Sequence, residues 1–134
     1  MREILFRGKL VSNGEWTFGN IIVNKKGACI ITPNKTPLGK YGQVTFETVG
    51  QYTGLTDKNG VKIFEGDICE FRYDEDEKES PHLVKWFKER ACFVIIEIYK
   101  NKLNGGTENL DEFFAENCKI ISNIHDNPEL LKGA

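Results

Sequence analysis

The sequence lacks any apolar run long enough to cross a membrane as a helix. A membrane-spanning helix needs about 20 consecutive apolar residues, and polar or charged residues interrupt every apolar stretch of the 134-residue chain well before that length. The chain also does not open with the apolar segment that is typical of a secretory signal peptide. We therefore expect a cytoplasmic protein that has no membrane partner.

Metal-ligating residues are few and are not clustered. The chain has two histidines and four cysteines, and no two cysteines form a Cys-x-x-Cys pair. A structural zinc site needs thiolates and imidazoles at close, regular spacing. Each cysteine lies in an apolar run or at the end of one, which favours buried free thiols. We expect no metal and no cofactor. The cysteines are Cys29, Cys69, Cys92 and Cys118.

The familiar motifs of catalysis and nucleotide binding are also missing. No Gly-rich phosphate loop ends in Lys and Ser or Thr, and no serine lies in a nucleophile elbow. The acidic run from Asp74 to Glu79 lacks the central glycine and the spaced glutamate of a calcium loop. The sequence leaves open whether the protein is an enzyme, but these absences favour a protein that is not one.

One acid–base candidate remains. Glu65 and Asp67 flank Gly66, and a corner of this kind can place two carboxylates side by side with different pKa values. His82 is the histidine that could complete the group. The simpler interpretation is that Glu-Gly-Asp forms a tight turn in which Asp67 accepts a hydrogen bond from its own backbone.

Short apolar runs separated by Gly, Asn and Pro indicate a β-rich chain. The turn signals are too closely spaced for helices over most of the sequence, and the length suits a single domain spanning residues 1–134. The prediction is a β-rich α+β fold, a small antiparallel and partly closed barrel or a sandwich, with a short helix near the carboxyl end. Thr32–Gly42, which is rich in Pro and Gly, is predicted to be an exposed loop.

The densest turn signal is Asp57-Lys58-Asn59-Gly60. It predicts a hairpin, closed either by a four-residue turn that begins at Asp57 or by a two-residue mirror-image loop at Asn59-Gly60. The flanking strands would be 51–55 and 61–64, and a third strand would follow at 68–73.

A second hairpin is predicted from 83–86 and 91–100. Its second strand is apolar on both faces apart from Glu97, which is typical of a central strand. Asn104-Gly105-Gly106 is expected to end it. A helix would then run over 109–117 with Asn109 as its cap.

Basic residues are unevenly distributed. Residues 1–40 hold seven Lys and Arg against two Glu, although the net charge of the chain is −2. Basic residues interleaved with aromatic rings on a small β-barrel are typical of single-strand nucleic-acid binders, although aromatic residues more often pack in a core. The candidate binding residues are Arg7, Lys9, Trp16, Lys25, Lys26, Lys85, Lys88 and Arg90.

Three stretches have a distinctive combination of residues. They are the central segment 50–68, the opening Phe6-Arg7-Gly8-Lys9 with Trp16-Thr17-Phe18-Gly19, and the closing segment 120–131. Together they resemble the YopX family of phage and prophage proteins. Ser122 stands where that family usually has Gly, and His125 where it usually has an aromatic ring. The resemblance implies a small, mostly β protein with no established activity, in the cytoplasm of a bacterial host.

These observations predict a phage accessory protein that binds a macromolecule without catalysing a reaction. A host or phage protein is the favoured partner, through exposed sheet edges or the 32–42 loop. The alternatives are a small barrel that binds single-stranded nucleic acid, and an enzyme that uses Glu65 and Asp67. Self-association through unpaired strands is a further expectation.

Overall fold

A computed structural model describes residues 2–33 and 39–131. The chain divides into two compact units, Met1–Gly54 and Leu55–Ala134. No helix in these described ranges is both long and apolar enough to span a bilayer. The single-domain expectation stays a prediction, and each unit is described by itself.

The first unit is an antiparallel sheet with the strand order β4-β3-β2-β1-β5. Alternating residues of β2 face a small apolar core, since Thr17 and Gly19 are buried whereas Asn20 is exposed. The core consists of Leu10, Cys29, Ile31 and Val44, with Ile21 and Val49 packed against it. The strands are β1 (Phe6–Lys9), β2 (Trp16–Val23), β3 (Cys29–Pro33), β4 (Gly42–Val44) and β5 (Gly50–Thr56).

The second unit contains a five-stranded antiparallel sheet and the α-helix. The strand order of this sheet is β10-β9-β8-β7-β11. Before it, β5 runs into the unit and forms a hairpin with β6 (Lys62–Phe64). The other elements are β7 (Asp67–Phe71), β8 (Ser80–Phe87), β9 (Cys92–Tyr99), β10 (Lys102–Asn109), α1 (Glu112–Asn117) and β11 (Lys119–Asn123).

Both faces of this sheet are covered within the unit. Side chains of successive strand residues point to opposite faces, and the two apolar clusters divide accordingly. Cys69, Phe71 and Val84 belong to the cluster that includes Phe114 of α1. Ile68 and Leu83 belong to the other cluster, which the 3₁₀ turn Pro128–Leu131 covers. The prediction that β9 is a core strand is confirmed, because its residues 94–96 are 0–7% exposed.

The central hairpin is closed by Asp57. Its Oδ1 accepts hydrogen bonds from the backbone N–H groups of Asn59 and Val61, each at 2.9 Å. Gly60 has a φ of +79°, whereas Asn59 is not among the residues with positive φ. The two-residue loop of the mirror-image kind requires positive φ at both central residues. The four-residue turn that begins at Asp57 is therefore the one that forms.

Several predicted boundaries are wrong. β10 was not expected, because two consecutive glycines are typical of the end of a strand. The strand nevertheless continues past Gly105 and Gly106 through a bulge. The helix begins at Glu112 instead of 109, and its cap is Asp111, whose Oδ1 accepts a hydrogen bond from Phe114 N at 2.8 Å. Residues 46–48 form a 3₁₀ turn.

The predicted loop over 32–42 is shorter than expected. Thr32 and Pro33 belong to β3, and Gly42 opens β4. Residues 34–38 of this predicted loop lie outside the described residues. The segment therefore connects two paired strands, and its candidate role in partner contact stays a prediction.

The fold class is confirmed. The chain is β-rich, with two antiparallel sheets and one short α-helix near the carboxyl end. Neither sheet closes on itself among the described residues, since each strand order has two ends. A sandwich consists of two sheets, which is the number observed here. A closed barrel is excluded because both sheets are open.

Replacing Asp57 by Ala should destabilise the fold by about 2–4 kcal/mol, because a buried carboxylate that accepts several backbone N–H bonds is removed. Urea unfolding followed by circular dichroism measures this change. Asp74→Ala is the matched control, since Asp74 also accepts a turn N–H, from Asp76, but is exposed. The control should change the free energy of unfolding by less than about 0.5 kcal/mol. Equal losses in the two variants would contradict the role given to Asp57.

Candidate functional site

Three of the predicted binding residues meet on one face of the first sheet. Lys9 lies opposite Trp16 in the register of β1 and β2, and Arg7 lies opposite Phe18. The guanidinium carbon of Arg7 is 4.6 Å from the centre of the Trp16 ring, and Lys9 Nζ is 5.4 Å from it. Arg7 itself is only 7% exposed. The protein's own cations therefore already stack on this indole.

Lys25 and Lys26 do not join this group. Both are exposed on the turn between β2 and β3, where Asn24 Oδ1 accepts hydrogen bonds from the N–H groups of Lys26 and Ala28. Trp16 lies at the other end of β2, roughly 23 Å away at the rise of an extended strand. The two parts of the predicted patch are separate surfaces.

The remaining three candidates lie in the second unit, around the β8–β9 hairpin. Lys85 and Lys88 are exposed. Arg90 Nη2 donates to Thr107 Oγ1 at 2.5 Å, and its guanidinium carbon lies 5.0 Å from the centre of the Phe87 ring. Arg90 thus ties the hairpin turn to β10, and only the two lysines project freely into solvent.

The Glu65–Asp67 corner has the geometry of a turn. Asp67 is 2% exposed, and its Oδ2 accepts a hydrogen bond from Phe64 N at 2.7 Å. Gly66 between them has a φ of +93°, which suits glycine. His82 does not complete this pair, because the carboxylates that act on its imidazole most strongly belong to Glu97 and Glu108. His82 therefore does not belong to the predicted group with Glu65 and Asp67, but to a different group of polar side chains.

That other constellation surrounds a cavity in the second unit, with a volume of about 240 Å³. The sheet register places its residues. His82 of β8 lies opposite Glu97 of β9, and Glu97 lies opposite Asn104 of β10. The lining residues are Tyr73, His82, Ile95, Glu97, Asn104, Gly105, Gly106 and Glu108.

A bulge in β10 shapes one wall. Between the pairs Asn104–Glu97 and Glu108–Ile95, three residues of β10 lie opposite one residue of β9. Gly105 has a φ of +82° within this bulge, a conformation that favours glycine. The displaced backbone of Gly105 and Gly106 lines the cavity next to the two glutamates.

Hydrogen bonds fix the glutamate side chains. Ser80 Oγ donates to Glu97 Oε2 at 3.0 Å, and Asn104 Nδ2 donates to Glu97 Oε1 at 3.2 Å. The Tyr73 hydroxyl donates to Glu108 Oε2. Partial burial, followed by this bond to the carboxylate, raises the pKa of Tyr73, so the phenol keeps its proton.

His82 is the most buried polar group of the cavity wall, at 3% exposed. Its ring lies between aromatic neighbours, with centroids 5.9 Å from Phe71 and 5.4 Å from Phe114. Nδ1 is 2.9 Å from the carbonyl oxygen of Ser80, which accepts, so Nδ1 carries the proton of the neutral ring. Burial lowers the pKa of His82, against the opposing effects of the Ser80 carbonyl and Glu97.

Local sequence patterns did not reveal this site, although one signal was present. Glu97 interrupts an otherwise apolar strand, and a polar residue at such a position calls for a buried partner. Its neighbours come from β8, β10 and the bend after β7, and only strand pairing identifies them. Among the described residues there is no group of three or more His, Cys, Asp or Glu side chains that could hold a metal ion.

Fold and site together define a class: an open-sheet β protein with a small cavity, lined by carboxylates and an imidazole, in its second unit. Residues 6–132 match the family described as YopX protein. The match covers nearly the whole chain, and the protein belongs to the YopX family.

A solved structure is similar over the same length. It is the crystal structure of protein EF1440 from Enterococcus faecalis, at 26% sequence identity and a TM-score of 0.56. The similarity covers 98% of this chain and 100% of that one. No curated protein matches the sequence.

His82 should titrate below the ordinary histidine pKa of about 6.5. The unfolded chain binds a proton at a higher pH than the folded one, so the free energy of unfolding should fall as the pH drops below about 6.5. NMR titration of the imidazole measures the pKa directly. His125→Gln leaves a single imidazole, because the chain has two histidines. A His82 pKa at or above the ordinary value would contradict the burial argument.

His82→Gln should flatten the pH dependence of stability over the same window, because the group that resists protonation in the folded state is gone. Unfolding by urea at several pH values between about 5 and 7.5 provides the comparison. A variant as pH-sensitive as the parent would show that another group causes the dependence.

Proposed function

We propose that this protein is a non-enzymatic accessory protein of phage or prophage origin that binds a host or phage protein in the bacterial cytoplasm. The observation that carries the proposal is the cavity beside β10, whose polar groups are arranged for recognition. The Ser80 hydroxyl and the Asn104 amide donate hydrogen bonds to the Glu97 carboxylate. The Tyr73 hydroxyl donates one to the Glu108 carboxylate. Membership of the YopX family supports the phage origin.

The cavity is smaller than typical pockets for drug-sized ligands. Pockets for drug-sized ligands have volumes of roughly 300–1,000 Å³, whereas this one measures about 240 Å³. A cavity of this size suits a single side chain. This supports recognition of a partner that inserts one residue, with the rest of its contact made on the surrounding surface.

Exposed aromatic rings beside the cavity supply such a surface. Tyr73 and Phe113 are 53% and 58% exposed. Both contact the buried ring of Phe71, at centroid distances of 4.7 and 6.0 Å. Aromatic residues are enriched at protein interfaces because they bury a large area at a small entropic cost. The rings and the cavity therefore form one candidate contact region of the second unit.

The proposal predicts that partner capture depends on the cavity. Immobilised protein should retain a specific partner from a lysate of infected or prophage-carrying host cells. The double variant Glu97→Gln, Glu108→Gln should retain at least about tenfold less of it, because two charge-assisted contacts are weakened. Quantitative mass spectrometry of the retained proteins provides the measurement.

Glu89→Gln is the matched control, since it removes the same charge from an exposed position in the β8–β9 turn. It should retain the partner as the parent does. Absence of any partner above background with the parent protein would count against the proposal. If the retained protein is a second copy of this chain, the result would indicate self-association instead of binding to a different protein.

Binding of single-stranded nucleic acid is the second candidate. It is favoured by one observation, the placement of Arg7 and Lys9 over the Trp16 ring on one sheet face. Cations next to an aromatic ring are the elements of a stacking platform. Against this candidate, Arg7 and Lys9 of the protein itself already lie over the Trp16 ring, where a base would have to stack.

This second candidate predicts that single-stranded DNA quenches Trp16 fluorescence at low salt, and that added salt reverses the effect. Trp86→Phe isolates the signal, because the chain has two tryptophans. In that background, Lys9→Gln should weaken binding, whereas Lys58→Gln, at an exposed turn position, should not. Unchanged emission over the whole titration would eliminate the nucleic-acid candidate.

A further inference from the structure

Asparagine followed by glycine is the residue pair that most readily loses its side-chain amide. The backbone nitrogen of the following residue attacks the amide carbon, and a glycine at that position has no Cβ to hinder the approach. The chain contains three such pairs, Asn13-Gly14, Asn59-Gly60 and Asn104-Gly105. Because the reacting groups are the same in all three pairs, a difference in their reactivity has to come from the fold.

In two of the pairs, a turn holds the glycine N–H in a backbone hydrogen bond. Gly14 N donates to the carbonyl oxygen of Leu10 at 2.8 Å. Gly60 N donates to the carbonyl oxygen of Asp57 at 3.0 Å. A nitrogen held in this way has to leave its hydrogen bond before it can lose its proton and reach the side chain, so the turn must open first.

Strand pairing determines the direction of the backbone groups in the third pair. Leu110 N donates to the carbonyl oxygen of Phe93 at 3.0 Å, so the backbone groups of Phe93 face β10. Along a regular antiparallel strand every second residue faces the same neighbour, and Glu97 therefore faces β10 as well. The two-residue turn at 100–101, with positive φ at both residues, fits the same alternation. Asn104 lies opposite Glu97 and exchanges backbone hydrogen bonds with it.

The Gly105 N–H consequently points to the open edge of the sheet. The Asn104 carbonyl faces Glu97, and in a trans peptide unit the N–H points away from the carbonyl. β10 is the last strand of its sheet, so no strand of the sheet lies on that side. Asn104 and Gly105 are both exposed, and no atom beyond the chain neighbours lies within 4 Å of the position that a Cβ on Gly105 would take. Of the three glycines, Gly105 is the one whose N–H is not held in a turn.

We propose that Asn104 is a site of covalent modification, at which attack by the Gly105 nitrogen removes the side-chain amide. Gly105 N loses its proton and bonds to Asn104 Cγ, and the bond between Cγ and Nδ2 breaks. The amide nitrogen leaves as ammonia, and a five-membered succinimide ring remains. Water then opens the ring at one of its two carbonyl groups and gives aspartate or isoaspartate. Water is the co-reactant, and the modification does not depend on the proposed function.

The modification changes the wall of the cavity in the second unit. Asn104 lines the cavity, and its Nδ2 donates to Glu97 Oε1 at 3.2 Å. This hydrogen bond is exposed, so water replaces it when the side chain turns toward Gly105. Loss of the amide removes the donor and places a second carboxylate beside Glu97, where like charges repel. Isoaspartate also lengthens the main chain by one carbon, at the start of the bulge in β10.

The test compares the three pairs in the intact protein at mildly alkaline pH. Trypsin separates them into different peptides, because lysines lie between them, and mass spectrometry detects the exchange of an amide for a carboxyl group. A sample unfolded in guanidinium chloride gives the intrinsic rate of each pair. Folding should slow Asn13 and Asn59 by at least about tenfold, because a backbone hydrogen bond must open, and should slow Asn104 by less than about threefold.

Asn104→Gln is the matched variant. Glutamine keeps the amide group, but its attack would have to close a six-membered ring, which is much slower. The variant should lose the fast reaction and leave the rates at Asn13 and Asn59 unchanged. Circular dichroism verifies that the variant is folded. If it is not, the comparison of folded and unfolded parent protein decides, because that comparison needs no substitution.

Three results would overturn the proposal. The first is a folded protein in which Asn104 reacts no faster than Asn13 and Asn59. The second is an equal excess of the Asn104 rate in the unfolded sample, which would assign the difference to local sequence instead of the fold. The third is a fast reaction that persists in the same peptide of folded Asn104→Gln, which would place the modification at another residue.

Discussion

The second unit depends on a single carboxylate. Asp57 is 5% exposed, and besides the two turn N–H groups it accepts a hydrogen bond from the N–H of Ile120 at 3.1 Å. The adjacent N–H of Lys58 donates to the carbonyl oxygen of Cys118. A hairpin turn is thereby fixed to the start of β11, 63 residues later in the chain. Such a bond aligns two distant segments at once, because a buried carboxylate must satisfy its oxygens with whichever donors reach it.

The cavity is a consequence of sheet register. His82, Glu97 and Asn104 stand side by side on three successive strands because antiparallel pairing places them opposite one another. The bulge in β10 then removes side chains from the position next to Glu97 and leaves the backbone of two glycines. Pairing therefore brings polar side chains of neighbouring strands into hydrogen-bond distance, as between Asn104 and Glu97.

Local signals predicted much of the fold and little of the site. The hairpins around Asp57 and Lys88, and the core strand β9, follow from turn residues and alternation, which act within a few residues. β10 was missed because glycines within a bulge look like a strand end in the sequence alone. The basic candidates looked like one surface, but Trp16 opens β2, whereas Lys25 lies on the turn that follows the strand. Charge composition carries no information about which residues become neighbours.

The sequence alone determined the strand-rich class, the central turn and the membership of the YopX family, because these depend on residues that are close along the chain. The burial of Asp57 and Asp67, the pairing of His82 with Glu97 and the bulge of β10 were decided only by the tertiary structure. These features need residues from other strands, as far as 63 positions along the chain, and pairing register brings those residues together. For this reason the chemistry of the cavity becomes visible only when the sheet is assembled.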